Sequence, residues 1–266
     1  MTTRVVMSLG QKLKAVLVDL SGTLHVEDYV IPGAIQAVQR LKDSSLHVLF
    51  VTNTTKESKR RLYERMQRFG FNVHKHELFT SLTAARQLVE NQNLRPMLLL
   101  DDCALEDFEG ISQENPNAVL VGLAPQHFNY EKLNSAFSLL MEGHPLIAVH
   151  KARYFKRPDG LALGPGGFVE GLEYASGTRA TVVGKPRESF FLSALKTIDC
   201  KPEEAVMIGD DVIGDVEGAN KIGMKGILVK TGKYRVGDEN KIDQIQSTAC
   251  DDIGSAVDLI LKQMIH

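Results

Sequence analysis

Short, almost uninterrupted apolar runs that end in aspartate, threonine or glycine recur along this chain, separated by helix-length amphipathic stretches. Few folds accommodate that alternation. Ala15 to Leu20 is followed by a helical Ala34 to Leu41 and then by Val48 to Thr52. The same rhythm closes the chain: Thr181 to Val183, a helix near Ser189 to Ile198, Ala205 to Ile208, a helix from Gly214, Gly226 to Val229 and a final helix from Gly254. Strands apolar on both faces belong to a parallel sheet buried between layers of helices, so the rhythm predicts an α/β fold. From about Asn91 to Thr178 the texture changes. Candidate strands there are Met97 to Leu100, Ala118 to Leu123 and Leu146 to His150, and the loop Leu163 to Gly167 precedes an apolar-periodic stretch at Phe168, Val169 and Leu172. This block reads as an inserted domain.

Length and charge narrow the partners. At 266 residues the chain suits one large domain or two modest ones. Lysine and arginine number 31 against 33 acids, a net charge of −2, so no overall field favours nucleic acid or an anionic membrane, and neither is expected as a partner. The longest apolar run, Ala118 to Ala124, already contains Gly122 and falls far short of the ~18 residues of a spanning helix. Three cysteines, Cys103, Cys200 and Cys250, are odd in number and widely spaced, which suits reduced thiols in a cytoplasmic setting rather than a disulfide framework or a zinc cluster. Met1 to Lys14 has no hydrophobic signal-peptide core and reads as a ragged start; Arg4, with no early acid, leaves a transit peptide as the alternative.

In a parallel sheet, ligands bind beyond the carboxyl ends of the strands, so the residues that follow each apolar run carry the chemistry. Asp19 ends the first run, beside the turn Ser21-Gly22-Thr23, where a carboxylate can attack phosphorus or hold a hard cation, or merely begin a turn. Thr52 and Asn53 end another run, with hydroxyl, amide and main-chain N–H groups that suit an anion, or equally a helix cap. Asp210, Asp211 and Asp215 crowd the end of Ala205 to Ile208. Carboxylates so close repel one another unless a cation or hydrogen-bond donors compensate them, and an all-oxygen set points to Mg2+; the alternative is a solvated acidic loop in which Asp210 or Asp211 caps the following helix. Lys185, after Thr181 to Val183, would bring a positive charge to the same edge, where it could neutralise charge on a transferring phosphoryl group, or is simply a surface lysine that only the two acidic strand ends make notable.

With DLSGTLH, VTNTT, GKP and GDDVIGD in this order, the sequence resembles a haloacid dehalogenase superfamily hydrolase over essentially its whole length, and the insert resembles the α/β (C2-type) cap of the NagD-like subgroup. The resemblance implies a Rossmann-like, three-layer parallel-sheet core formed by residues 1–90 and 179–266, with a cap at 91–178. It implies an Mg2+-dependent phosphohydrolase with Asp19 as nucleophile, an aspartyl-phosphate intermediate, and Lys185 as the other catalytic group. Asp19, the main-chain carbonyl of Ser21 and Asp210 would hold the metal, and Asp19, Leu20, Ser21, Thr52, Asn53 and Lys185 would meet the substrate. Asp215 would stand behind the metal and orient water on it. A cap-mediated homodimer is open to such a chain by family analogy.

One position departs from the family pattern: Ser21 stands where these phosphatases usually carry a second aspartate. That residue protonates the leaving oxygen and then activates water, a contribution of ~10² to 10⁴ in rate. Small phosphorylated compounds whose leaving group needs little protonation, such as pyrophosphate, phosphoramidates and aryl phosphates, are therefore the expected substrates. The alternative is a protein that binds Mg2+ and phosphate with little or no turnover. Three weaker features remain. Lys151, Arg153, Lys156 and Arg157, interleaved with Tyr154 and Phe155, form either an anion-greeting face or a solvated one. His74 and His76 read as surface residues, and Asp101 with Asp102 as a helix cap.

Overall fold

A computed structural model describes residues 13–157 and 160–264 of the chain. The ragged start expected at the N-terminus lies, over residues 1–12, outside the described residues. The chain forms two compact units. One comprises the described residues up to Thr52, Tyr63–Phe79 and the chain from Lys185 onward; the other comprises Asn53–Leu62 and Thr80–Gly184.

The first unit is built on a six-stranded sheet in the order Ser247–Cys250, Lys225–Val229, Ala205–Gly209, Ala15–Asp19, His47–Thr52 and Leu78–Thr80. Pairing is parallel across the first five of these strands, with Val16 opposite both Val206 and Val48 and Asp19 opposite Val51. Val16, Leu17 and Val18 are fully buried, as are Phe50 and Ile208, which is why these strands read as continuous apolar runs. Each such side chain contributes about 1.5–3 kcal/mol of transfer free energy. Helices Ala34–Lys42 and Ile253–Met264 pack on one another, with an Arg40–Asp258 ion pair of 2.7 Å at their exposed side. Helix Glu188–Lys196 brings in Phe190, edge-on to Phe79 at 5.2 Å between ring centres.

In the second unit a four-stranded sheet runs Thr181–Val182, Leu146–Ala148, Ala118–Val121 and Pro96–Leu99, parallel throughout. Val119, Val121, Leu146 and Ala148 form its core with Ala136 and Leu140 of helix Tyr130–Met141 and Val169 and Leu172 of helix Gly166–Ser176. A hairpin, Tyr154–Arg157 with Gly160–Leu163, follows the Leu146–Ala148 strand.

This division differs from the expected bounds of 91–178, for a physical reason at each border. Helix Ser81–Asn91 is tied to the insert by Arg86, whose guanidinium donates to the carbonyls of Asp107 and Glu109 at 2.8 and 3.0 Å. The segment before Tyr63 is tied there as well: Lys59 N–H donates to the Asp107 carboxylate, and Arg60 forms a two-pronged pair with Glu106 at 2.6 and 2.9 Å. Thr181–Val182, expected to open the closing rhythm of the core, instead pairs with Ile147 and Ala148. A further difference concerns the helix expected from Gly214. Val212–Glu217 is a wider π-type turn, followed by Gly218–Asn220, because the Asp211 carbonyl accepts from Val216 N–H at 3.3 Å as well as from Asp215 N–H at 2.9 Å. Among the described residues, no helix is long and apolar enough to cross a membrane.

Candidate active site

Asp19, Lys185, Asp210 and Asp215 all belong to the six-stranded unit. The Ala15–Asp19 strand is buried to its last residue, so Asp19 emerges at the carboxyl edge with only 5% of its surface exposed. The chain then turns tightly: the Leu20 carbonyl accepts from the N–H groups of Thr23, Leu24 and His25. This coil leaves Ser21 exposed and returns Thr23 under Asp19, where its buried hydroxyl donates to Asp19 Oδ2 at 3.3 Å. Gly22 is held at φ +99°, and a Cβ there would collide with the Asp210 carboxylate. Glycine is required on both counts.

Lys185, nearly buried, lies between two carboxylates. Its Nζ is 2.5 Å from Asp19 Oδ1 and 2.6 Å from Asp215 Oδ1. Burial alone would push this ammonium down; the charges of Asp19 and Asp215 override it and hold it above the ordinary lysine value. Asp215 also accepts from Asp211 N–H at 3.2 Å, and Gly209 leaves the room its carboxylate occupies. Burial raises Asp215, and the Lys185 ammonium only partly opposes this, leaving the acid at about 6. Asp210, 2% exposed, is pushed well above the usual carboxylate range by burial and then by Asp19 and Asp215.

Asp19, Asp210 and Asp215 each place a carboxylate oxygen within 4.8 Å of the others. Lys233 N–H reaches Asp210 Oδ2 at 2.7 Å, whereas no hydrogen-bond donor reaches Asp210 Oδ1 among the described residues. Buried, crowded carboxylates with an unused oxygen fit a hard divalent cation, which would supply the missing positive charge.

The structure thus brings together Asp19, Lys185 and Asp210, separated by as many as 191 positions in the numbering of the chain. It adds Asp215 as a direct partner of Lys185 rather than only a group behind a metal. Thr52 ends the neighbouring strand, one residue past the partner of Asp19, and is buried. Asn53 opens the second unit, its side-chain oxygen filling the space a Cβ on Gly184 would need. Leu20 is buried behind Asp19.

Sequence reasoning missed Thr23, Gly22 and the segment Thr231–Lys233. Thr23 was visible as the polar residue closing the DLSGT turn, but its partner was not. The weaker features resolve separately. Lys151 is engaged by Glu170 and Glu173 at 2.6 and 2.7 Å, and Arg153 is exposed; the side chains of Phe155, Lys156 and Arg157 lie outside the described residues. His74 and His76 are exposed with stacked rings, and Asp101 accepts from Cys103 N–H at 2.9 Å as a cap.

Comparison with known proteins gives a consistent answer. Residues 16–110 match the family model of haloacid dehalogenase-like hydrolases, and residues 182–256 match a second model described as HAD-hydrolase-like. The chain is 60% identical over 259 residues to haloacid dehalogenase-like hydrolase domain-containing protein 2 of Rattus norvegicus, covering 97% of this chain and all of that one. It is 41% identical over 258 residues to the phospholysine phosphohistidine inorganic pyrophosphate phosphatase of the same animal, covering 95% of this chain and 96% of the relative. Among solved structures, a 4-nitrophenylphosphatase from Thermotoga maritima superposes with a TM-score of 0.86 at 23% identity, covering 93% of this chain and 97% of that one. A glycerol phosphate phosphatase from Mycobacterium tuberculosis, in complex with magnesium, gives 0.82 at 24%, covering 94% and 78%. These two likenesses show the fold.

Proposed function

Because the chain belongs to the haloacid dehalogenase-like hydrolase family, we propose that it is an Mg2+-dependent phosphohydrolase that works through an aspartyl-phosphate on Asp19. The observation that supports this reading is the convergence of Asp19, Lys185, Asp210 and Asp215 at one strand edge. An Asp19 carboxylate oxygen attacks phosphorus, and the bond to the leaving group breaks with its electron pair departing on that group. Water then attacks the acyl phosphate, releasing inorganic phosphate and restoring Asp19. Lys185 orients Asp19 through its contact with Oδ1 and neutralises charge on the transferring group. Thr52, Asn53 and the main chain at Leu20 and Ser21 would hold the phosphoryl oxygens, and the second unit would serve as the cap. Asp19, Asp210 and the Ser21 carbonyl would hold Mg2+, which supplies charge neutralisation at the phosphoryl oxygens when bound.

Ser21 sets the substrate class. A serine hydroxyl neither protonates a leaving oxygen nor accepts a proton efficiently near neutral pH, so alkyl esters lose the ~10² to 10⁴ that an acid at this place provides. Pyrophosphate, phosphoramidates and aryl phosphates, whose leaving groups depart with less help, are favoured. The relative named as a pyrophosphate phosphatase is in keeping with that class. The test is phosphate release from imidodiphosphate, pyrophosphate, 4-nitrophenyl phosphate and an alkyl phosphate, with and without Mg2+, by the wild type and Asp19→Asn. Faster alkyl turnover overturns the substrate assignment, and undiminished turnover by Asp19→Asn overturns the mechanism. The same Ser21 favours one rival, a phosphate-binding protein with negligible turnover; acid-stable trapping of one phosphoryl group per chain without further release would establish it.

A further inference from the structure

Beyond the four signature segments, a strap of chain from Lys230 to Tyr234 crosses the Asp210 carboxylate. It leaves the buried strand Lys225–Val229 and is fastened at three points. Thr231 Oγ1 donates to the Gly22 carbonyl at 2.5 Å, Lys233 N–H donates to Asp210 Oδ2 at 2.7 Å, and Lys233 Nζ pairs with Asp211 Oδ2 at 3.0 Å. Between the fastenings Gly232 adopts φ +55°, and a Cβ there would collide with Asp210 Oδ2 and with the backbone of Gly22. The carboxylate therefore lies in a slot walled by two glycines, one on the turn after Asp19 and one on the strap.

The consequence is a carboxylate with unequal oxygens. Oδ2 is committed to the strap, and Oδ1 is left for a cation. Asp211, to which the Lys233 ammonium is paired, accepts from the N–H groups of Ile213 and Gly214 at 3.1 and 2.8 Å and so shapes the turn that carries Asp215. One lysine thus ties the strap to both acids. We propose that Lys233 is a positioning residue for Mg2+: its main-chain N–H orients the Asp210 carboxylate, and its ammonium, through Asp211, locks the strap that delivers that N–H. The inference rests on the reading of Asp210 as a metal ligand.

Isothermal titration of the full chain with Mg2+, which requires no turnover, tests it. Lys233→Ala keeps the N–H and loses an exposed ion pair, so its Mg2+ affinity falls about three- to fivefold, and Lys233→Arg restores it. Gly232→Ala pushes the carboxylate out of its slot and weakens Mg2+ binding about 10- to 100-fold, the usual effect of disturbing a group that orients a ligand. Should Gly232→Ala not fold, Thr231→Val, which removes only the hydroxyl fastening, takes its place with a loss of about threefold. A wild type that binds Mg2+ while these variants match its affinity overturns the positioning role and leaves the proposed function standing. A wild type that binds no Mg2+ overturns the metal reading of Asp210, and this inference with it.

Discussion

Replacing Lys185 by methionine keeps the bulk of the side chain and removes an ammonium 2.5 Å from Asp19 Oδ1 and 2.6 Å from Asp215 Oδ1. Asp19, Asp210 and Asp215 are left facing one another with their ligand atoms within 4.8 Å. Removing one partner of a buried ion pair costs about 3–5 kcal/mol. For a protein of this size each kcal/mol moves the melting temperature by about 2–4 °C, so Lys185→Met should melt about 6–20 °C below the wild type. The loss carries a pH signature. Asp215, deprived of the ammonium that lowers it, binds a proton more readily, which raises its folded-state pKa further above the unfolded value near 3.8.

An acid raised in the folded state contributes stability that is complete below its unfolded pKa and is lost as pH rises through the folded one. Asp215 already illustrates this at about 6; in Lys185→Met the loss extends to higher pH. Lys185 itself has a raised pKa, so its contribution in the wild type is present below 10.5 and does not vary between pH 5 and 8. The two proteins should therefore melt close together at pH 5 and far apart at pH 8, in buffer freed of divalent cations. The chain has no tryptophan, so circular dichroism at 222 nm is the suitable probe. A gap of equal size at both pH values, or no gap at pH 8, refutes the electrostatic account of this site.

Other perturbations address single groups. Ser21→Asp should raise alkyl phosphate hydrolysis at least tenfold in a steady-state assay, toward the ~10²-fold of an acid–base group; an unchanged rate shows that Ser21 does not limit proton transfer. Because burial raises Asp210 and a cation needs it ionised, Mg2+ affinity measured by calorimetry should fall as pH drops from 7 to 5; a flat profile over that range contradicts this. Thr23→Val removes the hydroxyl on Asp19 Oδ2, a hydrogen bond to a charged group worth about 1.5–3 kcal/mol, and should lower kcat about tenfold or more. A change confined to KM would count against Thr23 as an orienting group for Asp19.

Much of the site was legible because its chemistry is local. Asp19 and Asp210 each end a buried strand whose apolar run announces it, and a parallel sheet delivers all such ends to one edge. The short strands Leu78–Thr80 and Ser247–Cys250 were not legible, since three or four residues set no period, and the second of them reads Ser-Thr-Ala-Cys with no large aliphatic side chain. Nor was the border at Thr181–Val182, because a two-residue strand is assigned by the partner it finds rather than by its own composition.

What the amino-acid order decided alone was the class of fold, the strand ends that bear carboxylates, and the absence of an acid at Ser21. Tertiary structure decided which oxygen is spoken for and which is left. Lys185 came to rest between Asp19 and Asp215, and the strap at Thr231–Lys233 closed on Asp210 from more than twenty residues away. Periodicity reports how a side chain is buried within its own segment; distances of a few ångströms between segments depend on packing, where two glycines and one main-chain N–H settle the orientation of a carboxylate.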